Sequence, residues 1–360
     1  MKFEPVPLSK AKGKILGHNI AGANGQRLLR KGKPITEEDL EKLRILGRNS
    51  VYVAELGPED VEENKAAQRV AEAICGPGLR ISGGTSGRAN LLVNTMGILR
   101  IEVERMIQIN ECNGITLATL VTHTPVHPRQ IVATVKIIPY SVPESAVSLV
   151  ETISSESGSI VRVDALPFHS VGMILSGSTS IHQKLVSDFA PLQDRIEKLG
   201  SSVTRTDFVA LDDEADEAVL AAMLQQQIAS GIEMILLAGE TAIMDEHDIL
   251  PRAVERAGGH VESIGAPVDP GNLLMLAYLE NVPIVGAPGC ARSRKTNIVD
   301  WILPRLLVGD KLTRRDIVEL AHGGLLQDVL ERGMPRDVKE EDTDQDTRHE
   351  SLTQVTSPGG

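Results

Sequence analysis

The chain has 360 residues, 41% of them hydrophobic and 24% charged, which is enough for two compact units that each bury a core. Aromatic residues make up only 2%, leaving the cores to Ile, Leu, Val and Ala and few rings on which nucleobases could stack. A net charge of −12 argues against a nucleic-acid or anionic-membrane surface, so no nucleic-acid and no membrane partner is expected, and a small anionic ligand would need local donors.

Part of the acidity is local: residues 335–360 hold seven acids and three bases, leaving −8 for residues 1–334. Cys75, Cys112 and Cys290 are odd in number and lack CxxC spacing, so a reducing cytoplasm is the expected home. The opening "MKFEPVPLSKAKGKIL" has no apolar signal core, and no run is long enough to cross a bilayer.

In chain order, Thr36 followed by Asp39 and an apolar face of Leu40, Leu43 and Leu46 predicts a capped helix ended by Gly47. "SVYVAEL" then reads as a strand, and "VEENKAAQRVAEAIC" as a helix stopped by the Gly-Pro-Gly at 76–78. The Gly-rich stretch 81–94 lacks P-loop spacing and reads as a loop. Residues 131–143 are β-prone and closed by prolines, and "SAVSLVETISSESGS" is a helix leading to a linker. An N-terminal mixed α+β domain over 1–150 is expected.

From Val161 the rhythm becomes strand and helix in alternation. Strands are expected at "SVGMILSG", "VTRTDFVAL", "EMILLAG" and "VPIVGAPG". Helices are expected from Leu185 to Gly200, from Asp213 to Gly231, at "ILPRAVERAGG", and over "KTNIVDWILPRLLVG" with Trp301 in the core. This predicts an α/β domain over 161–330 whose parallel-rich sheet has helices on both faces. Ligand loops then lie beyond the carboxyl ends of the strands, placing "SGSTS", "AGETAIMDEHD" and "GAPGCARSRK" on one rim. Residues 335–360 read as a disordered acidic tail.

Asp245, Glu246, His247 and Asp248 form a charged quartet that can be read as metal ligands, acid/base groups or a solvated loop. Adjacent side chains project apart, which disfavours chelation, whereas one carboxylate can hold a hydrated Mg²⁺ against a phosphate. Asp212 and Asp213, between a strand and a helix, either cap the helix or bring a carboxylate to the same rim. Gly239 exposes backbone donors and Thr241 adds a hydroxyl. Arg292, Ser293, Arg294 and Lys295 at a helix start suit an anion. Cys290 sits near these cations without a nearby His or Asn to act as base for a nucleophile.

The ordered set of strand, "AGETAIMDEHDILPRAVERAGG", "PVDPGNLLML" and "VPIVGAPGCARS" resembles the molybdopterin-binding domain shared by molybdopterin adenylyltransferases and molybdopterin molybdenumtransferases. The likeness spans about residues 165–310 and extends upstream to Gly177, Ser178 and Asp212. It implies a three-layer α/β/α domain that holds a small anionic pterin, molybdopterin or the molybdenum cofactor. The residues it implies for binding are Gly177, Ser178, Gly239, Glu240, Thr241, Pro270, Gly271, Gly286, Pro288, Gly289, Arg292 and Ser293. It implies Asp212 and Asp248 as catalytic carboxylates, with Asp248 as the Mg²⁺ ligand.

The sequence departs from the family at four places. Glu240 replaces a second Gly, the loop from Thr241 to Asp248 is one residue longer, Val268-Asp269 stands where a Lys is common, and Cys290-Ala291 replaces Asn-Pro. A carboxylate beside a phosphate loop repels an anion unless a cation intervenes. The expected function is binding of molybdopterin or the molybdenum cofactor in its biosynthesis or delivery. The alternatives are an active Mg²⁺-dependent adenylyl- or molybdenumtransferase and a regulatory scaffold without pterin. The layout resembles proteins in which such a domain precedes a nucleotidyltransferase; here an acidic segment follows instead, which favours a handover component serving a nucleotidyltransferase or molybdoenzyme partner. Homo-oligomers are expected by the same resemblance.

Overall fold

The computed structural model describes residues 1–211 and 216–326, so Asp212, Asp213 and the segment from Pro335 lie outside the described residues. Within them the chain is mixed α/β. In the N-terminal part the Asp39 amide donates to Thr36 Oγ1 at 3.2 Å, and the Thr36 amide donates to the Asp39 carboxylate at 3.0 Å. This reciprocal cap starts the helix Glu37–Ile45, which buries Leu40 and Leu43 in one core with Val51 and Val53. Lys2–Pro7, Ser50–Glu55 and Ile15–Leu16 form the accompanying antiparallel sheet.

A second core lies between the helices Glu63–Ile74 and Glu144–Ser155 and a four-stranded antiparallel sheet. The Gly-rich stretch expected to be a loop is largely strand. Leu79–Ser82 and Arg88–Val93 pair, and Ala89, Leu91 and Val93 alternate into the core. Period-two burial of three apolar side chains outweighs the local excess of Gly and Ser. Val161–Ala165 pairs with Gly97–Ile101 and contributes Val161 and Val163 to this second core.

The six-stranded sheet that carries the ligand loops has the order Ser202–Ala210, Ser170–Gly177, Met234–Gly239, Val282–Gly286, Met275–Leu279, His260–Ile264. The first four strands run parallel, and the last two are added antiparallel. Alternating side chains feed two cores. Met173, Leu175 and Leu236 share one with Leu192, Ile302 and Leu303, while Ile174, Ile235 and Leu237 share the other with Leu220, Leu224 and Val254.

Two expectations change here. The helix expected from Leu185 to Gly200 is two helices, His182–Asp188 and Ala190–Lys198, because Pro191 lacks the N–H that continuation needs and is tolerated only in a first turn. The strands His260–Ile264 and Met275–Leu279 were not expected, and they add two antiparallel pairings to the parallel-rich sheet.

Candidate functional site

Because Ser170–Gly177, Ser202–Ala210, Met234–Gly239 and Val282–Gly286 are mutually parallel, their carboxyl ends share one edge of the sheet. Two of the loops there are joined directly. The Ser178 amide and hydroxyl donate to Glu240 Oε2 at 2.9 and 3.0 Å, and the Glu240 amide donates to the Ser176 carbonyl at 2.8 Å. Gly177 leaves room for this crossing, since a Cβ there would stand 2.8 Å from Glu240 Cβ. The Ser178 amide, then its hydroxyl, hold the Glu240 carboxyl below the usual carboxylate range, and Arg292 and Lys184 add to the effect. Glu240 thus stays ionised on a pair of donors that would otherwise face an incoming anion.

Arg292 ties in the third loop. Its Nη2 donates to the Gly239 carbonyl at 2.8 Å and to the Glu240 carbonyl at 3.2 Å, while its guanidinium lies 4.9 Å from the Phe189 ring centroid. Its Nε is buried without a hydrogen-bond partner. One cation therefore holds the loop backbone and stands beside the carboxylate.

The segment bearing Arg292 is clamped from below by a residue that local spacing did not single out. Arg195 donates to the Asp300 carboxylate at 2.8 Å and to the carbonyls of Ala291, Ser293 and Lys295 at 3.3, 2.9 and 3.0 Å. Buried Asn297 adds bonds from its amide group to the carbonyls of Cys290 and Lys295. The available signal was an Arg sitting between the core positions Leu192 and Ile196, where a cation is found only when paired. Arg195→Ala is expected to speed amide hydrogen exchange across residues 290–296 more than elsewhere in the sheet, with a stability loss of about 1–3 kcal/mol from the part-buried Asp300 carboxylate and Ala291 carbonyl left without their donor; uniform exchange would refute the clamp.

The remaining predicted residues are placed differently. Asp248 Oδ2 accepts from the amides of Met244 and Asp245 at 2.5 and 3.1 Å, closing its own loop at the start of the helix Ile249–Arg256. Asp245, Glu246 and His247 are exposed, and among the described residues no group of three His, Cys, Asp or Glu could hold a metal ion. Thr241 is exposed beside Glu240. Gly286 serves packing, since a Cβ would meet Ile243 Cδ1 at 2.6 Å and Met275 Cβ at 2.8 Å. Pro270 follows a cis peptide and accepts from the Ile298 amide, and Gly271 packs on Ile298. Pro288 is buried, Gly289 faces open space, and Ser293 Oγ accepts from the Lys295 amide. Burial pushes the Cys290 thiol up, which disfavours the thiolate that a nucleophile needs. The structure therefore gathers Gly177, Ser178, Gly239, Glu240 and Arg292, while Asp212 lies outside the described residues.

Residues 5–55 match a family model described as a domain of unknown function, DUF8806. No curated protein matches the chain. Among solved structures it is similar to a molybdenum cofactor biosynthesis protein from Pyrococcus furiosus, at 13% identity and a TM-score of 0.22. That match covers 88% of this chain and 65% of the other, so the chain spans less than two thirds of that protein's length. It is also similar to a molybdenum cofactor biosynthesis protein B, at 14% identity and a TM-score of 0.28, over 39% of this chain and 94% of the other. No described helix is long and apolar enough to cross a membrane.

Proposed function

We propose that the chain binds molybdopterin or the molybdenum cofactor at the carboxyl rim of the six-stranded sheet and serves in its biosynthesis or delivery. In this reading the α/β domain expected over 161–330 is a three-layer α/β/α molybdopterin-binding domain that begins only after Val161–Ala165, a strand paired within the α+β part that precedes it. The observation that carries the reading is the donor pair of Ser178, amide and hydroxyl, already closed on a carboxylate at 2.9 and 3.0 Å. Donors that accept one anionic oxygen suit another, so the residues present fit a phosphate monoester once Glu240 withdraws. The order of the loops along the sequence, which resembles the molybdopterin-binding family, supplies the identity of the ligand.

Binding without turnover is preferred to transfer on this geometry. Asp248, the carboxylate expected to hold Mg²⁺, spends Oδ2 on two amides of its own loop, and Glu240 adds a negative charge where a nucleotide phosphate would approach. A Mg²⁺ ion carried in by a nucleotide would have Asp248 Oδ1 as its protein ligand. The test is purified protein incubated with molybdopterin, MgATP and molybdate. Retention of the fluorescent pterin without adenylylated product or inserted molybdenum is the expected result. Turnover would replace this reading with a transferase, and no retention at all would leave a scaffold without pterin.

A further inference from the structure

Charge is divided unevenly along the chain. Residues 1–55 carry eleven Lys and Arg against six Asp and Glu, a net of +5, whereas the remainder carries 26 against 43, or −17. Most of the acids in this basic segment are engaged. Glu37 pairs with Lys12 at 2.9 Å, Glu38 with Lys42 at 2.7 Å, Glu41 with Arg44 at 3.0 Å, and Glu55 with Lys14. Asp39 accepts from the Thr36 amide and hydroxyl in the helix cap.

What is left over converges on one concavity. A cavity of about 420 Å³ opens between the strand Arg27–Leu29 and the helix Glu37–Ile45. Buried Leu29 and Ile35 line it together with Arg27, Arg30 and Lys33, and Lys42 with its partner Glu38 and the capping carboxylate of Asp39 lie at its edge. Among the described residues no carboxylate lies within ion-pair distance of Arg27, Arg30 or Lys33. Cations gathered without counter-charges repel one another, and an anion seated among them relieves that repulsion.

We propose that this concavity binds a short oligophosphate chain, either free or as the phosphate part of a nucleotide. Two guanidinium forks can each take two phosphate oxygens, and Lys33 adds a point charge, a combination suited to several linked phosphates rather than one carboxylate. The volume lies within the range of small-ligand sites, roughly 300–1,000 Å³, and the apolar lining leaves room for an uncharged moiety. Length is limited by the rest of the molecule. Beyond a screening length of about 8–10 Å a long polyanion would meet the described residues after 55, which carry a net −9, whereas a short one sees only the local cations. The proposal is independent of the pterin reading, since none of these residues touches the rim.

The test is calorimetric titration of the full chain at low ionic strength with inorganic triphosphate and, separately, with a nucleoside triphosphate. Binding of one or both is expected, and tighter binding of the nucleoside form identifies a nucleotide as the natural source. Arg30→Glu with Lys33→Glu should weaken the affinity by about thirtyfold or more, because each cation contributes charge-assisted hydrogen bonds. The neutral pair Arg30→Gln with Lys33→Gln should weaken it less but clearly. Lys10→Glu changes the same net charge away from the cavity and should leave the affinity within about threefold. All substituted side chains are exposed, so unchanged far-ultraviolet dichroism is the check on folding. The proposal fails if neither ligand binds at low salt, if Lys10→Glu weakens binding as much as the paired variant, or if a long single-stranded oligonucleotide binds more tightly than both.

Discussion

Glu240→Ala is expected to tighten binding of inorganic pyrophosphate at the rim severalfold at low salt. In the native chain an incoming phosphate oxygen must take the Ser178 amide and hydroxyl away from the Glu240 carboxylate, and it must do so close to that carboxylate's charge. Both charges are exposed to water, which weakens their repulsion, so the expected gain is modest and appears only at low ionic strength. Glu240→Gln separates the two effects. Its amide oxygen can still accept from Ser178 but carries no charge, so its affinity should fall between native and Ala. Added salt should shrink the gain, because the repulsion is at the surface. Acidification should release the native protein from this competition only below the usual carboxylate range, since the Ser178 donors hold the carboxyl down. Isothermal titration of the three proteins decides the matter, and equal affinities would mean that Ser178 is not where the anion sits.

Elements that depend on neighbours in sequence were legible; those that depend on distant partners were not. Thr36 and Asp39 cap their helix as the spacing predicts, and the β-branched run Ile131–Ile137 is a strand. Three of the four parallel strands were readable as short apolar runs bounded by Gly or polar residues, and Ser202–Ala210 through its β-prone Val, Thr and Phe. Met275–Leu279 was missed because a continuous apolar stretch has no period to distinguish strand from helix, and all five of its residues are buried. At the site, topology alone put Gly177, Gly239 and Arg292 on one rim. Where the Glu240 carboxylate points could not be read, since its partner Ser178 is 62 residues away. Arg195 reaches carbonyls 96 to 100 residues downstream, and only its place among core positions hinted at a buried role.

Asp310→Ala is expected to cost about 1–3 kcal/mol, the range for part-buried groups that lose a charged hydrogen-bond partner. Arg100, on a strand of the second core, holds Asp310 through both carboxylate oxygens at 3.0 and 2.7 Å and also reaches Asp164 at 2.8 Å. Arg305, from the helix Val299–Leu307 that packs on the six-stranded sheet, adds a bond to Asp310 at 3.2 Å and one to Asp316 at 2.9 Å. The side chains of Arg100 and Arg305 are only 10% and 12% exposed, so removing Asp310 leaves two neighbouring guanidiniums with Asp164 and Asp316 as their remaining carboxylate partners. The native network also sets the acid limit of the fold. Burial alone would raise both carboxyls, but bonds from Arg100 and Arg305 bring Asp310 below its usual value, and bonds from Thr313 and Arg305 bring Asp316 down to about 2. A carboxyl depressed by folding contributes stability above its unfolded pKa, near 4, and loses it as pH falls toward the folded value. His123 lines a concavity with Arg100, Arg305 and Asp310 and is pushed down by burial and by Arg305 and Arg100, so the fold favours its neutral form and loses stability as pH drops below the usual His range. Urea midpoints for the native protein should therefore fall in two stages, first below about pH 6.5 and then between about pH 4 and pH 2. In Asp310→Ala the second stage should shrink, because one of the titrating carboxyls is gone; an unfolding free energy within about 0.5 kcal/mol of native at neutral pH would show that the network carries little stability.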